Sequence, residues 1–205
     1  MEDTVKFNTN WFDITKPVWQ QLFDQVKPTS YLEIGSFEGA SACFAIEHIG
    51  KRGKGLVECI DPFDEDYPDT LTPFDHDMNV VHMAFMANVQ EARDVADNQV
   101  DFWHYREDSF KTLMDLNIDT TNEYDCIYID GDHHARAVFR DCILAFPLLR
   151  SGGLLILDDY IWAPHVGASP LDSPKFAIDM FTTIYRDDLN DVPGAPVMQR
   201  YFTKR

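Results

Sequence analysis

Apolar and polar residues alternate along this chain in two patterns, one typical of buried strands and one typical of amphipathic helices. Short apolar runs lie within 53–63, 99–110, 124–130 and 152–160, and each stops at polar or acidic residues. The stretch 30–50 starts as a strand, passes two glycines and becomes a helix that ends near Gly50. Helical spacing of apolar residues recurs in 14–28, 79–96, 135–149 and 174–186. Thr15 is the expected N-cap of the first of these helices. A last strand is expected at 195–204.

This alternation predicts an α/β fold with a mostly parallel sheet and helices on both faces. Four of the strands are nearly continuous apolar runs, as expected for strands covered on both faces. We find no internal repeat or linker, so one domain is expected. In it, residues 1–27 form a helical segment that packs on a core domain of residues 28–205. Only one strand, 195–204, is recognisable at the last edge of the sheet.

Composition and charge narrow the class of protein. The 205 residues carry a formal net charge of −18, which repels polyphosphate and disfavours nucleic acid as a main partner. No stretch approaches the roughly 18 apolar residues of a membrane span, and the first residues lack the pattern of a secretory signal. The four cysteines lie in apolar stretches without a CxxC pair, which predicts buried reduced thiols and a cytoplasmic protein without a membrane partner.

Polar residues or glycines follow each predicted strand, at the edge of the sheet where ligands bind in parallel α/β proteins. These residues are Glu33, Gly35 and Gly39 after the first strand, Asp61 after the second, Asp108 and Ser109 after the third, Asp130, Asp132, His133 and His134 after the fourth, and Asp158 and Asp159 after the fifth. Such a convergence predicts a ligand site more strongly than any one motif does.

The glycines and Asp61 do not define the ligand by themselves. Glycines at a strand-to-helix turn let backbone amides approach a ligand, yet the spacing is not GxGxxG, and a plain tight turn fits equally well. An acid at the end of the second strand can accept hydrogen bonds from ribose hydroxyls. Asp61 before Pro62 is as easily a turn residue.

Three motifs together resemble those of class I S-adenosylmethionine-dependent methyltransferases. YLEIGSFEGASA is similar to the first motif, although its middle glycine is absent, ECIDPF is similar to the second, and REDSF to the segment along the adenine. The resemblance covers about residues 28–204. It implies a three-layer Rossmann-like fold with a seven-stranded sheet that ends in an antiparallel pair. The cofactor residues it implies are Glu33, Gly35, Ser36, Gly39, Asp61, Asp108, Ser109 and Asp130.

The acids after the fourth and fifth strands suggest a metal ion. Asp130, Asp158 and Asp159 would repel one another without a cation, and their hard oxygen ligands suit Mg²⁺, Mn²⁺ or Ca²⁺. Alternatively, these residues only start and cap turns.

A narrower resemblance bears on these acids. IDGDHHARAVFRD followed by GGLLILDDY is similar to metal-dependent O-methyltransferases that modify macrolide sugars, and more distantly to catechol-type enzymes. The resemblance implies metal ligation by Asp130, Asp158 and Asp159 and a general base at His133. The usual Glu-Asp pair is Asp-Asp here, so Asp158 is one methylene shorter than its counterpart.

The neighbours of His133 have other expected roles. His134 is the alternative base, and Asp132 is expected to be the N-cap of the following helix. The loops 62–76 and 160–172 could form a lid or substrate wall, with Tyr160, Trp162 and His165 facing the acceptor.

The function implied is transfer of a methyl group to a hydroxyl of a small molecule, either a sugar or a diol-like acceptor. A homo-oligomer is compatible with the resemblance, although the assembly of the sugar enzymes need not carry over. One alternative is a nicotinamide-dependent oxidoreductase, which the absent GxGxxG disfavours. Another is a catalytically silent binding protein of the same fold, which the complete acid and histidine set disfavours.

Overall fold

The computed structural model describes residues 7–64, 77–118, 123–194 and 197–205, and its centre is one β-sheet. The strands are β1 Ser30–Ile34, β2 Gly55–Ile60, β3 Val100–Tyr105, β4 Tyr124–Ile129, β5 Leu149–Leu157, β6 Leu189–Asp191 and β7 Arg200–Lys204. The helices are α1 Lys16–Val26, α2 Ala40–Gly50, α3 Met78–Val95, α4 Ser109–Ile118, α5 Ala135–Ala145 and α6 Pro174–Ile184.

The sheet has seven strands in the order β3-β2-β1-β4-β5-β7-β6. The first five strands are parallel, and β7 runs antiparallel to both β5 and β6. One buried cluster contains α1, α2 and α3 residues such as Trp19 and Phe85, and the other contains α4, α5 and α6 residues such as Leu113 and Phe181. The predicted mostly parallel seven-stranded sheet with helices on both faces is therefore confirmed.

The last edge of the sheet differs from the single strand expected at 195–204. Its strand is only Arg200–Lys204, while residues 197–199 form a turn and residues 195–196 lie outside the described chain. The second strand of the antiparallel pair, β6, has three residues, of which only Leu189 is buried. A strand of three residues with one buried position is too short to show the alternation of apolar and polar residues that predicts a strand. Only its hydrogen bonds to β7 identify it.

Thr15 stands at the N-cap position of α1, as expected, but its side chain does not cap the helix. Thr15 directly precedes α1, but its hydroxyl donates a hydrogen bond to the carbonyl of Phe12 at 3.2 Å and accepts none from a helix amide. A turn of 3₁₀ helix at Trp11–Ile14 runs straight into α1, so Thr15 already has helical backbone angles. In that conformation its side chain does not reach the amides ahead of it.

Two sequence expectations about the whole chain can be compared with the structure. All four cysteines are buried and none forms a disulfide. No helix in the described ranges is both long and apolar enough to cross a membrane.

The strand order reverses at β1, which lies between β2 and β4, and a glycine makes the close approach there. Gly35 has a φ of +82°, and its amide donates to the carbonyl of Ile60 at 2.9 Å. A Cβ atom on Gly35 would lie 2.0 Å from the backbone oxygen of Asp130. The loop after β1 can therefore pack against the loop after β4 only if residue 35 has no side chain.

We expect Gly35→Ala to destabilise the protein by about 1–3 kcal/mol more than Gly194→Ala does. Gly194 is a matched control because it has nearly the same φ, +83°, with nothing within 4 Å of an added Cβ. The difference isolates the backbone clash from the strain of a positive φ. Denaturant unfolding of both variants measures it, and equal losses would show that the loops separate without cost.

Candidate active site

A cleft of about 910 Å³ opens at the carboxyl ends of the parallel strands. It borders the loops after β1, β2, β4 and β5, the start of α4, and the segment before β7. The sequence-predicted residues that line it are Gly35, Ser36, Asp61, Ser109, Asp130, His133, Asp158 and Asp159. The fold thus brings together most of the candidates that the sequence placed at separate strand ends.

Two of the predicted cofactor residues lie behind the cleft wall. Glu33 is fully buried and accepts a hydrogen bond from the Tyr31 hydroxyl at 2.5 Å. Burial raises the pKa of Glu33 to about 7, although the hydroxyl hydrogen bonds lower it. Gly39 precedes α2 with a φ of +84°, and a Cβ there would meet the Phe85 ring at 2.9 Å. Both residues shape the loop from inside.

Asp61 holds the loop after β1 through backbone amides. Its Oδ2 accepts from the amides of Ser36 at 2.8 Å and Phe37 at 3.1 Å, and its Oδ1 accepts from the amide of Phe63 at 2.9 Å. Burial raises the pKa of Asp61, and these hydrogen bonds act in the opposite direction. Since a carboxylate offers about four acceptor positions, Asp61 orders the loop and keeps some capacity for a ligand.

The third predicted segment supplies Ser109 but not Asp108. The Asp108 side chain is 42% exposed and lies outside the cleft lining, where its Oδ1 accepts from the amide of Phe110. The Ser109 hydroxyl lines the cleft and donates to Oδ1 of Asp141 at 2.8 Å.

Sequence reasoning missed Asp141, a buried residue of α5 that also lines the cleft. Burial raises its pKa to about 6, against the lowering effect of Arg140 and Ser109. A signal was present, because Asp141 falls on the same helix face as Val138, Cys142 and Ala145. An acid on an apolar helix face needs a partner and is a reason to look for a site.

Asp130 and Asp158 share one phenol. The Tyr128 hydroxyl lies 2.7 Å from Oδ2 of Asp130 and also contacts Oδ2 of Asp158. Burial and the neighbouring carboxylates raise the pKa of Asp130 well above its usual range and that of Asp158 to about 6. One hydroxyl proton cannot satisfy both acids at once, so the pair carries excess negative charge when both are ionised.

The ligand atoms of Asp130, His133 and Asp159 all lie within 4.8 Å of one another. His133 Nε2 is 2.8 Å from Oδ2 of Asp159, and its ring stacks on Trp162 with centroids 4.4 Å apart. Two carboxylates and an imidazole make a donor set that fits a divalent cation. Metal ligation by Asp130 and Asp159 is thus compatible with the geometry.

Asp158 lies beside this group with both oxygens engaged. Its Oδ1 accepts from the amide of Asp159 at 2.7 Å, and its Oδ2 accepts from Nε2 of Gln199 at 2.6 Å. Gln199 is oriented in turn, because its Oε1 accepts from Trp19 Nε1 and from the Tyr201 hydroxyl. These hydrogen bonds orient Asp158 beside the acid group, and metal ligation by Asp158 stays a prediction.

Asp132 is not the N-cap of α5, contrary to expectation. The cap position belongs to His134, and α5 begins at Ala135. Asp132 Oδ1 instead accepts from the amide of His134 at 2.7 Å and contacts its Nδ1 at 2.7 Å. This two-residue turn directs His134 away from the cleft lining, while His133 remains in it.

The walls of the cleft are partly aromatic. Among the three loop residues expected to face the acceptor, Trp162 lines the cleft, whereas Tyr160 donates to Asp179, and His165 lies outside the lining. The lid predicted for 62–76 falls mostly on residues 65–76, which lie outside the described chain. The structure adds a wall that the sequence did not indicate, formed by Trp11, Phe12 and Ile14.

The chain is similar to known proteins in sequence and in fold. The family model for a methyltransferase domain matches residues 32–160. An uncharacterized protein of Acanthamoeba polyphaga mimivirus is 29% identical over 145 residues, which are 67% of this chain and 55% of that protein. The chain therefore spans about half the length of that relative.

Solved structures agree on the fold. An O-methyltransferase from Bacillus cereus in complex with S-adenosylhomocysteine has a TM-score of 0.63 and 15% identity, covering 98% of this chain and 84% of that one. A TDP-rhamnose 3′-O-methyltransferase of calicheamicin biosynthesis has a TM-score of 0.58 and 13% identity, covering 92% and 76%.

The chain belongs to the methyltransferase-domain family, since the family model covers more than half of it. The predicted resemblance to class I S-adenosylmethionine-dependent methyltransferases is confirmed for the family and the fold. This membership favours methyl transfer over the nicotinamide-dependent alternative.

Proposed function

We propose that this protein is an S-adenosylmethionine-dependent O-methyltransferase that uses a divalent cation and methylates a hydroxyl of a small sugar or diol-like molecule. The observation that carries the proposal is the convergence of Asp130, His133 and Asp159 in the cleft that the loop after β1 also borders. The cofactor and the acceptor would then meet at one edge of the sheet.

The loop after β1 is suited to the cofactor. Gly35 lets this loop pack against the loop after β4, and Asp61 fixes the amides of Ser36 and Phe37. Ser109 lines the same cleft beside Asp141, where the resemblance places the adenine. S-adenosylmethionine, when bound, supplies the methyl group of its sulfonium to a nucleophile placed in line.

The acid group and His133 are suited to activating the acceptor. A divalent cation, when bound, lowers the pKa of a coordinated hydroxyl, and Asp130, Asp158 and Asp159 would hold it. His133 is the general base, with its Nε2 facing Asp159. The carboxylate of Asp159 stabilises the imidazolium that forms, and stacking on Trp162 limits rotation of the ring.

Cofactor binding and metal dependence can be tested separately. Isothermal titration calorimetry should show micromolar binding of S-adenosylmethionine, and absence of binding would overturn the proposal. Radiolabelled methyl transfer to a panel of diols and sugars should stop with EDTA and return with added Mg²⁺. Turnover that EDTA leaves unchanged would remove the metal ion and keep the methyltransferase.

We expect Gln199→Met to weaken Mn²⁺ binding by about 10–100-fold, the usual cost of losing a partner behind a metal ligand. The variant keeps the side-chain length but loses the amide that donates to Asp158. Gln90→Met is the control, because the Gln90 amide bonds only Asp94 on the exposed face of α3. Calorimetric titration with Mn²⁺ compares them, and equal affinities would show that Asp158 does not need Gln199.

A further inference from the structure

The cleft is lined by acids without a matching cation. Its lining contains nine carboxylate side chains, and none of the described lining residues is Lys or Arg. These acids are Glu38, Asp61, Asp64, Asp77, Asp130, Asp132, Asp141, Asp158 and Asp159. Even a divalent cation and the sulfonium of the cofactor would leave negative charge in excess. The sequence 65–76, which follows Asp64, also contains neither Lys nor Arg.

In the described part of the chain, Arg140 and Arg106 contact residues of the lining, and both hold other partners. Arg140 contacts Asp141 at 3.2 Å and Ser109 at 3.0 Å, from behind the lining. Arg106 donates to the backbone oxygens of Pro62 and Phe63, so it supports the loop after β2. A phosphate or carboxylate in the cleft would therefore meet acids while these cations hold other partners.

Two other cations near the last sheet edge are paired as well. Lys175 lies 2.5 Å from a carboxylate oxygen of Asp179, and Arg200 lies 2.9 Å from one of Asp191. Both also lie over the Tyr160 ring.

Other residues of the cleft lining are apolar. Trp11 and Ile14 are largely exposed on one segment of the lining, and Trp162 and Met198 lie on two others. Exposed aromatic and aliphatic groups in a cleft favour a ligand with an apolar or planar body. The lining thus combines apolar walls with a negative potential.

We propose that the acceptor bears neither phosphate nor carboxylate and is a neutral or cationic hydroxyl compound with an apolar or aromatic body. The inference rests on the proposed function and narrows its substrate class. A cleft lined by one sign of charge concentrates ligands of the opposite sign and repels those of the same sign. The chain would therefore differ from the structurally similar enzyme named for a TDP-linked sugar.

The first test uses three catechols of similar size and different charge with the full chain saturated with S-adenosylhomocysteine and Mg²⁺. The probes are dopamine, its neutral analogue with a hydroxyl in place of the amine, and 3,4-dihydroxyphenylacetate. We expect the cation to bind at least about tenfold more tightly than the anion, with a smaller difference at high ionic strength because salt screens the field. Equal or tighter binding of the anion, or no binding of any probe, overturns the inference.

A charge placed in the cleft gives the second test. Met198→Lys should improve the affinity of 3,4-dihydroxyphenylacetate relative to dopamine, because Met198 lines the cleft. Met180→Lys is the control, since Met180 on α6 lies outside the lining and is 43% exposed, against 39% for Met198. An equal effect of both variants would mean that net charge decides and not the cleft.

These outcomes separate the two proposals. Binding of S-adenosylhomocysteine with metal-dependent turnover, but without discrimination by charge, removes the acceptor class and leaves the methyltransferase. Failure to bind S-adenosylhomocysteine removes both.

Discussion

Replacing His133 by alanine is expected to lower turnover by about 10²–10⁴-fold, the usual contribution of a positioned general base. The affinity for S-adenosylhomocysteine should stay nearly unchanged, because Asp61, and not His133, holds the amides of the loop after β1 that is proposed to bind the cofactor. Single-turnover methyl transfer measures the turnover, and calorimetric titration with S-adenosylhomocysteine measures the affinity.

His134→Ala is the matched control for this experiment. His134 is the adjacent imidazole, but it bonds Asp132 and lies outside the cleft lining. Its loss should leave turnover in place. If His133→Ala keeps full turnover and His134→Ala abolishes it, the roles of the two histidines are reversed.

Mn²⁺ affinity separates a base from a ligand, because His133 also belongs to the group of side chains that could hold a metal ion. A base predicts an Mn²⁺ dissociation constant close to that of the wild type in His133→Ala. A large loss of affinity would instead make His133 a ligand and leave the base unassigned.

Asp130→Asn should have opposite effects on function and stability. The amide removes one carboxylate from the set Asp130, His133 and Asp159, so Mn²⁺ affinity and metal-dependent turnover should fall by at least about tenfold. In the metal-free protein, Asp130 lies against Asp158 and Asp159, which raise its pKa together with burial. The folded state must either protonate one acid or bear the repulsion, and the amide removes this cost.

The metal-free variant should therefore unfold at a higher temperature than the wild type, by a few degrees if the relief is about 1 kcal/mol. Thermal unfolding in EDTA measures the gain, and added Mg²⁺ should reduce it because the cation binds the wild-type acid group more tightly than that of the variant. Asp101→Asn, at an exposed position of β3, serves as the control for a lost charge. A lower melting temperature for Asp130→Asn in EDTA would mean that the carboxylate helps to hold the loop after β4.

The strand ends show how much of the site could be predicted from the sequence. Asp130, His133 and Asp159 were expected to meet because each follows a parallel strand, and β4 and β5 are neighbours in the sheet. Asp61 and Ser109 reach the cleft for the same reason. Polar residues that directly follow a parallel strand must lie at the carboxyl-terminal edge of the sheet.

Local detail was predicted less well, because it depends on where a helix begins and which amide a side chain meets. The helix α5 begins at Ala135 as predicted, but its cap position falls on His134, and Asp132 bonds the His134 amide in the turn before the helix. The Asp108 side chain is partly exposed outside the cleft lining, although the Ser109 side chain next to it lines the cleft. A one-residue change of direction leaves no trace in hydrophobic periodicity.

By itself the sequence determined the α/β class, the parallel strands with covered faces, and the strand ends from which the chemistry emerges. These follow from the spacing of apolar residues and from the acids and glycines that interrupt it. Only the tertiary structure decided that Gln199 and Tyr128 orient Asp158, that Asp141 enters the cleft, and that Trp11 forms part of its wall. Gln199 and Trp19 are 180 positions apart in the chain, and only packing can bring such groups into hydrogen-bond contact.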